Sequence, residues 1–262
     1  MDTYAAQSQD VSRRRASDQF SETIQACVRL GREIAWGSLE PLLIDHRMMA
    51  SNCIITADRS DPAHNAFDIL RTRVLQTLRQ NGWTSIAITS PTRGCGKSVV
   101  ALNLAFSLAH QRDCRTVLLD LNLQHPSIAR LAGMTDPASM EAFLKREVDV
   151  HDLLQRYGDN LAIGANSRAV HFSAELLQNG ETAKVMADLR DRMKPDVLLF
   201  DMTSMLPSDD VTAFLPNVDG VIIVASAEKT TFEELETCER ELAERTNVLG
   251  VVLNRCRHGP GY

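Results

Sequence analysis

Six short and nearly unbroken apolar runs punctuate most of the chain: "SIAIT" (85–89), "TVLLD" (116–120), "NLAIG" (160–164), "DVLLFD" (196–201), "GVIIVAS" (220–226) and "VLGVVLN" (248–254). Runs this short, with little polar–apolar alternation, fit strands buried on both faces of a parallel sheet. Between most of them the period becomes helical, as in "VVALNLAFSLAHQ" (99–111) and "FEELETCERELAER" (232–245). Strand alternating with helix predicts an α/β fold, a doubly wound and mostly parallel sheet with helices on both faces, whose ligands sit at the carboxyl ends of the strands.

Ahead of the first strand, Ala66, Phe67, Leu70, Val74 and Leu78 share one helical face. Asp61 suits the cap of that helix, Pro62 its first position, and Asn81-Gly82 its stop. A further helix is expected from Asp18 to Trp36, where Phe20, Ile24, Cys27, Val28 and Ile34 recur at helical spacing. Residues 1–16 are polar, carry Arg13, Arg14 and Arg15, and read as a flexible tail. The expected division is an N-terminal tail and helix (1–50) that could dock a partner, one large domain (51–257) and a short flexible tail (258–262).

"SPTRGCGKS" (90–98) lies between the first run and a helix, the context a phosphate-binding loop requires. Gly94 and Gly96 let the backbone curl so that successive N–H groups face phosphate oxygens, and the helix that follows aims its positive end at the same point. Lys97 can bridge the terminal phosphates and Ser98 can bind a divalent cation. Thr92, Arg93, Gly94, Cys95, Gly96, Lys97, Ser98 and Val99 are therefore the candidate nucleotide-binding stretch. Asp120 and Asp201 end two of the apolar runs, at the sheet edge that carries the loop. With Ser98 they form a candidate Mg²⁺ set, since a hard cation takes one or two carboxylates plus phosphates. Lys97, Asp120 and Asp201 are the candidate catalytic residues.

The ordinary phosphate loop has glycine where this chain has Pro91. The departure resembles the deviant loops of the partitioning and cell-division-site ATPases. More closely, it resembles the bacterial tyrosine kinases of capsule and exopolysaccharide assembly, whose loop reads S-P-x-P-G-E-G-K-[ST]. The partitioning ATPases carry lysine at the position of Thr92. Further matches run from about residue 52 to 255 and include "NAFDILRTRV" (65–74), "SAELLQ" (173–178), "DVTAFLPNVDGVIIVASAEKT" (210–230) and "LGVVLNR" (249–255).

This resemblance implies a P-loop NTPase fold, ATP and Mg²⁺ as cofactors, and Asn254 and Arg255 near the adenine. It implies a protein-tyrosine kinase that phosphorylates itself, works with a membrane polysaccharide co-polymerase and forms possible homo-oligomers. The alternative is a weak regulatory or partitioning-type ATPase switch. Departures favour it: Asn122 and Gln124 stand where the family's D-x-D-x-R has its second acid and its arginine, and "DMTS" (201–204) replaces D-T-P-P. Asn122 cannot act as a carboxylate base, so Asn122→Asp is expected to raise phosphoryl transfer. Of three tyrosines, Tyr4, Tyr157 and Tyr262, only Tyr262 matches the family's C-terminal acceptor cluster, and Tyr157 is placed at a helix end.

A formal charge of −6 argues against a nucleic-acid surface. No apolar run approaches a membrane span and the N-terminus lacks a signal-peptide core, so a cytoplasmic protein recruited to the membrane by a partner is expected. Six cysteines include no C-x-x-C pair, which speaks against zinc or a disulfide framework, and most are expected to be buried apolar residues.

Overall fold

All six apolar runs become strands, and two more strands join them. The computed structural model describes residues 23, 26–57, 63–166 and 168–256, in two units, Met1–Ser38 and Leu39–Tyr262. In the first unit a helical segment over 26–37 (α1) leaves Val28, Leu30 and Ile34 exposed.

The second unit carries helices α2 (His46–Ser51), α3 (His64–Asn81), α4 (Lys97–Ala109), α5 (Ile128–Ala132), α6 (Met140–Leu144), α7 (Val150–Leu153), α8 (Ser173–Gln178), α9 (Gly180–Met193), α10 (Asp210–Phe214) and α11 (Phe232–Ala243) around an eight-stranded sheet. Its strands are β1 (Glu40–Pro41), β2 (Ser85–Ser90), β3 (Thr116–Leu121), β4 (Leu154–Tyr157), β5 (Leu161–Gly164), β6 (Val197–Ser204), β7 (Gly220–Ser226) and β8 (Asn247–Asn254). Their spatial order is β1-β4-β5-β3-β6-β2-β7-β8. All neighbouring pairs are parallel except β4 and β5, which are antiparallel. The sheet already takes in Glu40 and Pro41, so this unit starts well before residue 51.

The central strands β2, β3, β5, β6 and β7 are buried at every position. Edge strand β8 is not, and Val251 and Leu253 remain exposed on it. Tyr157 ends strand β4 rather than a helix, and its ring meets Phe106 edge-on at 5.1 Å. "GDN" (158–160) is a turn with Gly158 at φ +58°, which closes the β4–β5 hairpin.

Helix α3 (His64–Asn81) ends on Gly82 in the left-handed conformation, as the Asn-Gly stop requires. Its N-cap is Ala63, and Asp61 and Pro62 lie outside the described residues. Val74 and Leu78 are buried and Phe67 and Leu70 half-buried against the core, whereas Ala66 is exposed. Buried Arg71 joins α3 to α4 (Lys97–Ala109), donating to Asp68 at 2.5 Å and to the Ser107 carbonyl and hydroxyl at 3.1 and 3.0 Å. That guanidinium is committed inside the subunit. Helix α4 runs from the phosphate loop through the core, and its buried Asn103 hydrogen-bonds residues 53–56.

Cys95, Cys114 and Cys238 are buried, and Cys27, Cys53 and Cys256 are exposed. Half the cysteines thus depart from the expectation of burial, because three of them fall on surface segments outside the sheet.

Candidate functional site

The glycines of "SPTRGCGKS" are needed where they stand. Gly94 and Gly96 have φ of +85° and +87°, a region that costs any residue with a Cβ. A Cβ on Gly96 would also lie 2.2 Å from the Asn254 amide. We expect Gly96→Ala to lose nucleotide binding and to destabilise the protein by roughly 1–3 kcal/mol. Calorimetric titration and thermal melting of the variant would show both, and wild-type nucleotide affinity would contradict the reading.

Three neighbours fix the loop from outside. Ser90 donates to the Thr92 carbonyl at 2.9 Å and pairs with Ser204 at the end of β6 at 3.1 Å. Lys229 donates to the Arg93 carbonyl at 2.9 Å. Asn254 donates to the Cys95 carbonyl at 2.9 Å. The carbonyls of Thr92, Arg93 and Cys95 are thereby satisfied by Ser90 at the end of β2, by the turn after β7 and by β8, and Ser204 of β6 ties down Ser90.

Inside the loop opens a cavity of about 420 Å³ at the carboxyl ends of β2, β3 and β6. Arg93, Gly94, Gly96, Lys97, Ser98, Val99 and Arg255 all border it. Thr92 and Cys95 do not. The Cys95 thiol is buried, donates to the Thr92 carbonyl at 3.2 Å and sits 3.5 Å from the Thr230 hydroxyl. Burial opposes ionisation of the thiol, but contacts with Thr230, Thr92 and Ser90 outweigh it and lower the pKa. The Cys95 thiol therefore has no share in the cavity wall. Asn254 likewise spends its amide on the Cys95 carbonyl rather than on the cavity wall.

Asp120 and Asp201 are register partners on β3 and β6, so both side chains leave the same face of the sheet. Both are fully buried and neither borders the cavity, although Ser98 and Asn122 beside them do; their surroundings differ. Asp120 accepts from the backbone N–H groups of Asn122 (3.2 Å), Ser127 (3.0 Å) and Ile128 (3.0 Å). It holds the turn between β3 and helix α5 (Ile128–Ala132). Among the described residues none donates a hydrogen bond of good geometry to either oxygen of Asp201.

Burial pushes the pKa of Asp120 up, and the neighbouring Asp201 adds to the rise. Burial also raises that of Asp201, against the nearby Lys97 ammonium and Ser98 hydroxyl. A buried carboxylate beside Ser98 and Lys97, which themselves border the cavity, offers hard oxygen donors and fits Mg²⁺. Among the described residues no cluster of three His, Cys, Asp or Glu could hold a metal unaided. A cation here would need phosphate oxygens as well.

His125, Ser127 and Arg130 face the loop from across the cavity, and no motif in the sequence singles them out. The available signal was positional: they follow a strand ending in Asp120, on the sheet edge where ligands bind. His125 has its pKa lowered by burial first, then by Arg93 and Lys97. Asn122 is buried and donates to the His125 carbonyl at 2.7 Å. A carboxylate at 122 could not make that bond. Asn122→Asp therefore costs the turn its tie instead of simply restoring a base, which reverses the gain expected from the sequence.

A strand, a glycine loop curled around a phosphate-sized space, a lysine at the helix start and a buried aspartate on a neighbouring strand define a P-loop NTPase. The chain belongs to the family described as ParA, NUBPL iron-transfer P-loop NTPase, which matches residues 83–258. It is related to both the bacterial tyrosine kinases and the ParA-type deviant-loop ATPases. Tyrosine-protein kinase YwqD of Bacillus subtilis is 24% identical over 79% of this chain and 86% of its own length. Succinoglycan biosynthesis transport protein ExoP of Rhizobium meliloti is 28% identical over 65% of this chain but only 22% of its own. The chain thus spans about a quarter of the length of several relatives it matches. The kinase domain of the Escherichia coli tyrosine kinase ETK shares the fold, with a TM-score of 0.69 at 19% identity over 80% of this chain and 84% of that one. Among the described residues no helix is long and apolar enough to cross a membrane.

Proposed function

We propose that the chain is an ATP-dependent protein-tyrosine kinase acting in exopolysaccharide or capsule synthesis, beside a membrane polysaccharide co-polymerase. The observation that carries this reading is the unsatisfied Asp201 carboxylate next to Ser98 and Lys97, the arrangement a Mg²⁺–triphosphate requires. Relatives named as tyrosine kinases and as a succinoglycan transport protein support the substrate class and the setting.

Lys97, Arg93 and the loop N–H groups bind and orient the phosphates. Asp201 and Ser98 would hold Mg²⁺, which supplies charge neutralisation at the β- and γ-oxygens. Arg130 and Arg255, on the same cavity wall, add positive charge where phosphate charge shifts. Asn122 cannot remove a proton from an acceptor hydroxyl. In this reading that role falls to His125, whose pKa is lowered by burial and by Arg93 and Lys97, a direction that favours the neutral imidazole.

His125→Ala should lower phosphate transfer roughly 10²-fold and leave MgATP affinity within about twofold. Incubation with labelled ATP and a glutamate–tyrosine copolymer, followed by phosphotyrosine analysis, measures it; full transfer by the variant removes His125 from the role. The Asn122 side chain, spent on a backbone carbonyl, favours a second reading, an ATPase switch without kinase activity. Slow phosphate release from ATP, with no phosphotyrosine on the copolymer, on the chain itself or on a co-polymerase, would select it. Tyr262, the proposed self-acceptor, lies outside the described residues, as does Tyr4.

A further inference from the structure

A second cavity of about 400 Å³ adjoins the phosphate cavity and shares Arg93, Gln124 and His125 with it. Its floor includes Asp210, a fully buried carboxylate at the start of helix α10 (Asp210–Phe214). One oxygen of Asp210 accepts from the Ser173 hydroxyl at 2.8 Å and from the Gln124 amide at a long 3.3 Å. The other accepts from no donor among the described residues. A buried carboxylate with an empty oxygen is costly unless a donor completes it, and a cationic donor completes it best.

Two more carboxylates, Glu175 and Asp209, border the same cavity and are exposed. At its rim Phe172 is 80% exposed and holds φ at +58°, a conformation bulky residues rarely adopt. An aromatic ring kept in strained backbone beside three acids has the composition of a cation-binding pocket. The opposing charge is Arg93, which also borders the phosphate cavity.

We propose that this cavity receives an arginine or lysine side chain from a partner protein, with Asp210 as its carboxylate and Phe172 packed on its stem. A guanidinium enters by displacing the Gln124 amide from its 3.3 Å contact, while that amide keeps its 2.9 Å bond to Ser208. Because Gln124 and Arg93 border both cavities, occupancy of one alters the other. Neutralising the acids of the second cavity favours negative phosphates in the first. The site is independent of whether phosphate passes to protein or to water.

The probe is N-acetylarginine amide, with N-acetylcitrulline amide as its neutral isostere, titrated into the full chain and followed by NMR shifts. The arginine probe should bind with a dissociation constant on the order of 1 mM, and citrulline at least about tenfold more weakly. Asp210→Asn should abolish binding without lowering the thermal midpoint. Gln124→Arg, which brings a guanidinium to the same carboxylate from within the chain, should block the probe. Phe172→Ala, an exposed change that does not threaten folding, should weaken binding severalfold. Saturating arginine probe should tighten MgADP binding on the order of fivefold. Equal binding of citrulline, wild-type affinity in Asp210→Asn or Phe172→Ala, or no binding of the arginine probe overturns the assignment. Should Asp210→Asn fail to fold, the citrulline comparison and Phe172→Ala decide alone.

Discussion

Lys97→Met is expected to weaken MgATP binding by at least about 100-fold while leaving the thermal midpoint of the free protein unchanged. Lys97 opens helix α4 and faces the cavity. Its ammonium is the cation best placed to follow the terminal phosphates. Loss should fall short of total, because Arg93, Arg130 and Arg255 border the same cavity and retain part of the electrostatic attraction. Arg130→Ala should therefore cost less, on the order of tenfold. Calorimetry on the two variants gives the ranking. Unchanged affinity in Lys97→Met would sink the phosphate-loop reading.

Asp201→Asn carries the second large effect, in two directions. Turnover that depends on Mg²⁺ should fall at least about 100-fold, since the amide is a poor ligand for a hard cation. Stability of the nucleotide-free protein should instead rise at neutral pH. Burial lifts the folded-state pKa of Asp201, and it lifts that of Asp120 with help from Asp201. The folded state therefore keeps protons that an unfolded chain, with aspartate near about 3.9, has released. With more protons bound in the folded state, stability declines as pH rises from the unfolded value towards the raised folded one. An asparagine has no proton to lose, so the decline should flatten. Denaturant unfolding at pH 4, 6 and 8 without nucleotide measures the slope. A slope equal to that of the wild type would mean that the pair does not hold a proton in the folded state.

Much of the fold was legible because burial on both faces writes itself as uninterrupted apolar residues. β2, β3, β5, β6 and β7 satisfy that condition. β8 was legible for its composition, although its face with Val251 and Leu253 is exposed. β4 was not, because "LQRY" mixes a charge and a polar residue into a short antiparallel strand. Its signal was the Gly158 turn, which resembles a hairpin stop as much as a helix end. β1 has two residues, one of them proline, and forms only because β4 offers it an edge.

In the site, Lys97, Ser98 and the two glycines could be placed from spacing alone, since backbone and phosphate geometry leave few alternatives. The roles of Asp120 and Asp201 could not be told apart. What separates them is three backbone N–H groups from residues 122–128, a long-range consequence of how one turn folds back. His125 and Arg130 belong to no motif, and only the shape of the cavity reveals them.

The loop that cradles phosphate is tethered by residues made long after it. Lys229 follows its partner Arg93 by 136 residues, and Asn254 follows Cys95 by 159. Strand β2 itself lies between β6 and β7, both late in the chain. During synthesis, then, "SPTRGCGKS" leaves the ribosome early, but its braces arrive one by one with β6, the turn after β7 and finally β8. Closing contacts of such separation is slow, because chain entropy is lost before they form. The fully braced form of the phosphate loop is thus among the last features the nascent protein completes.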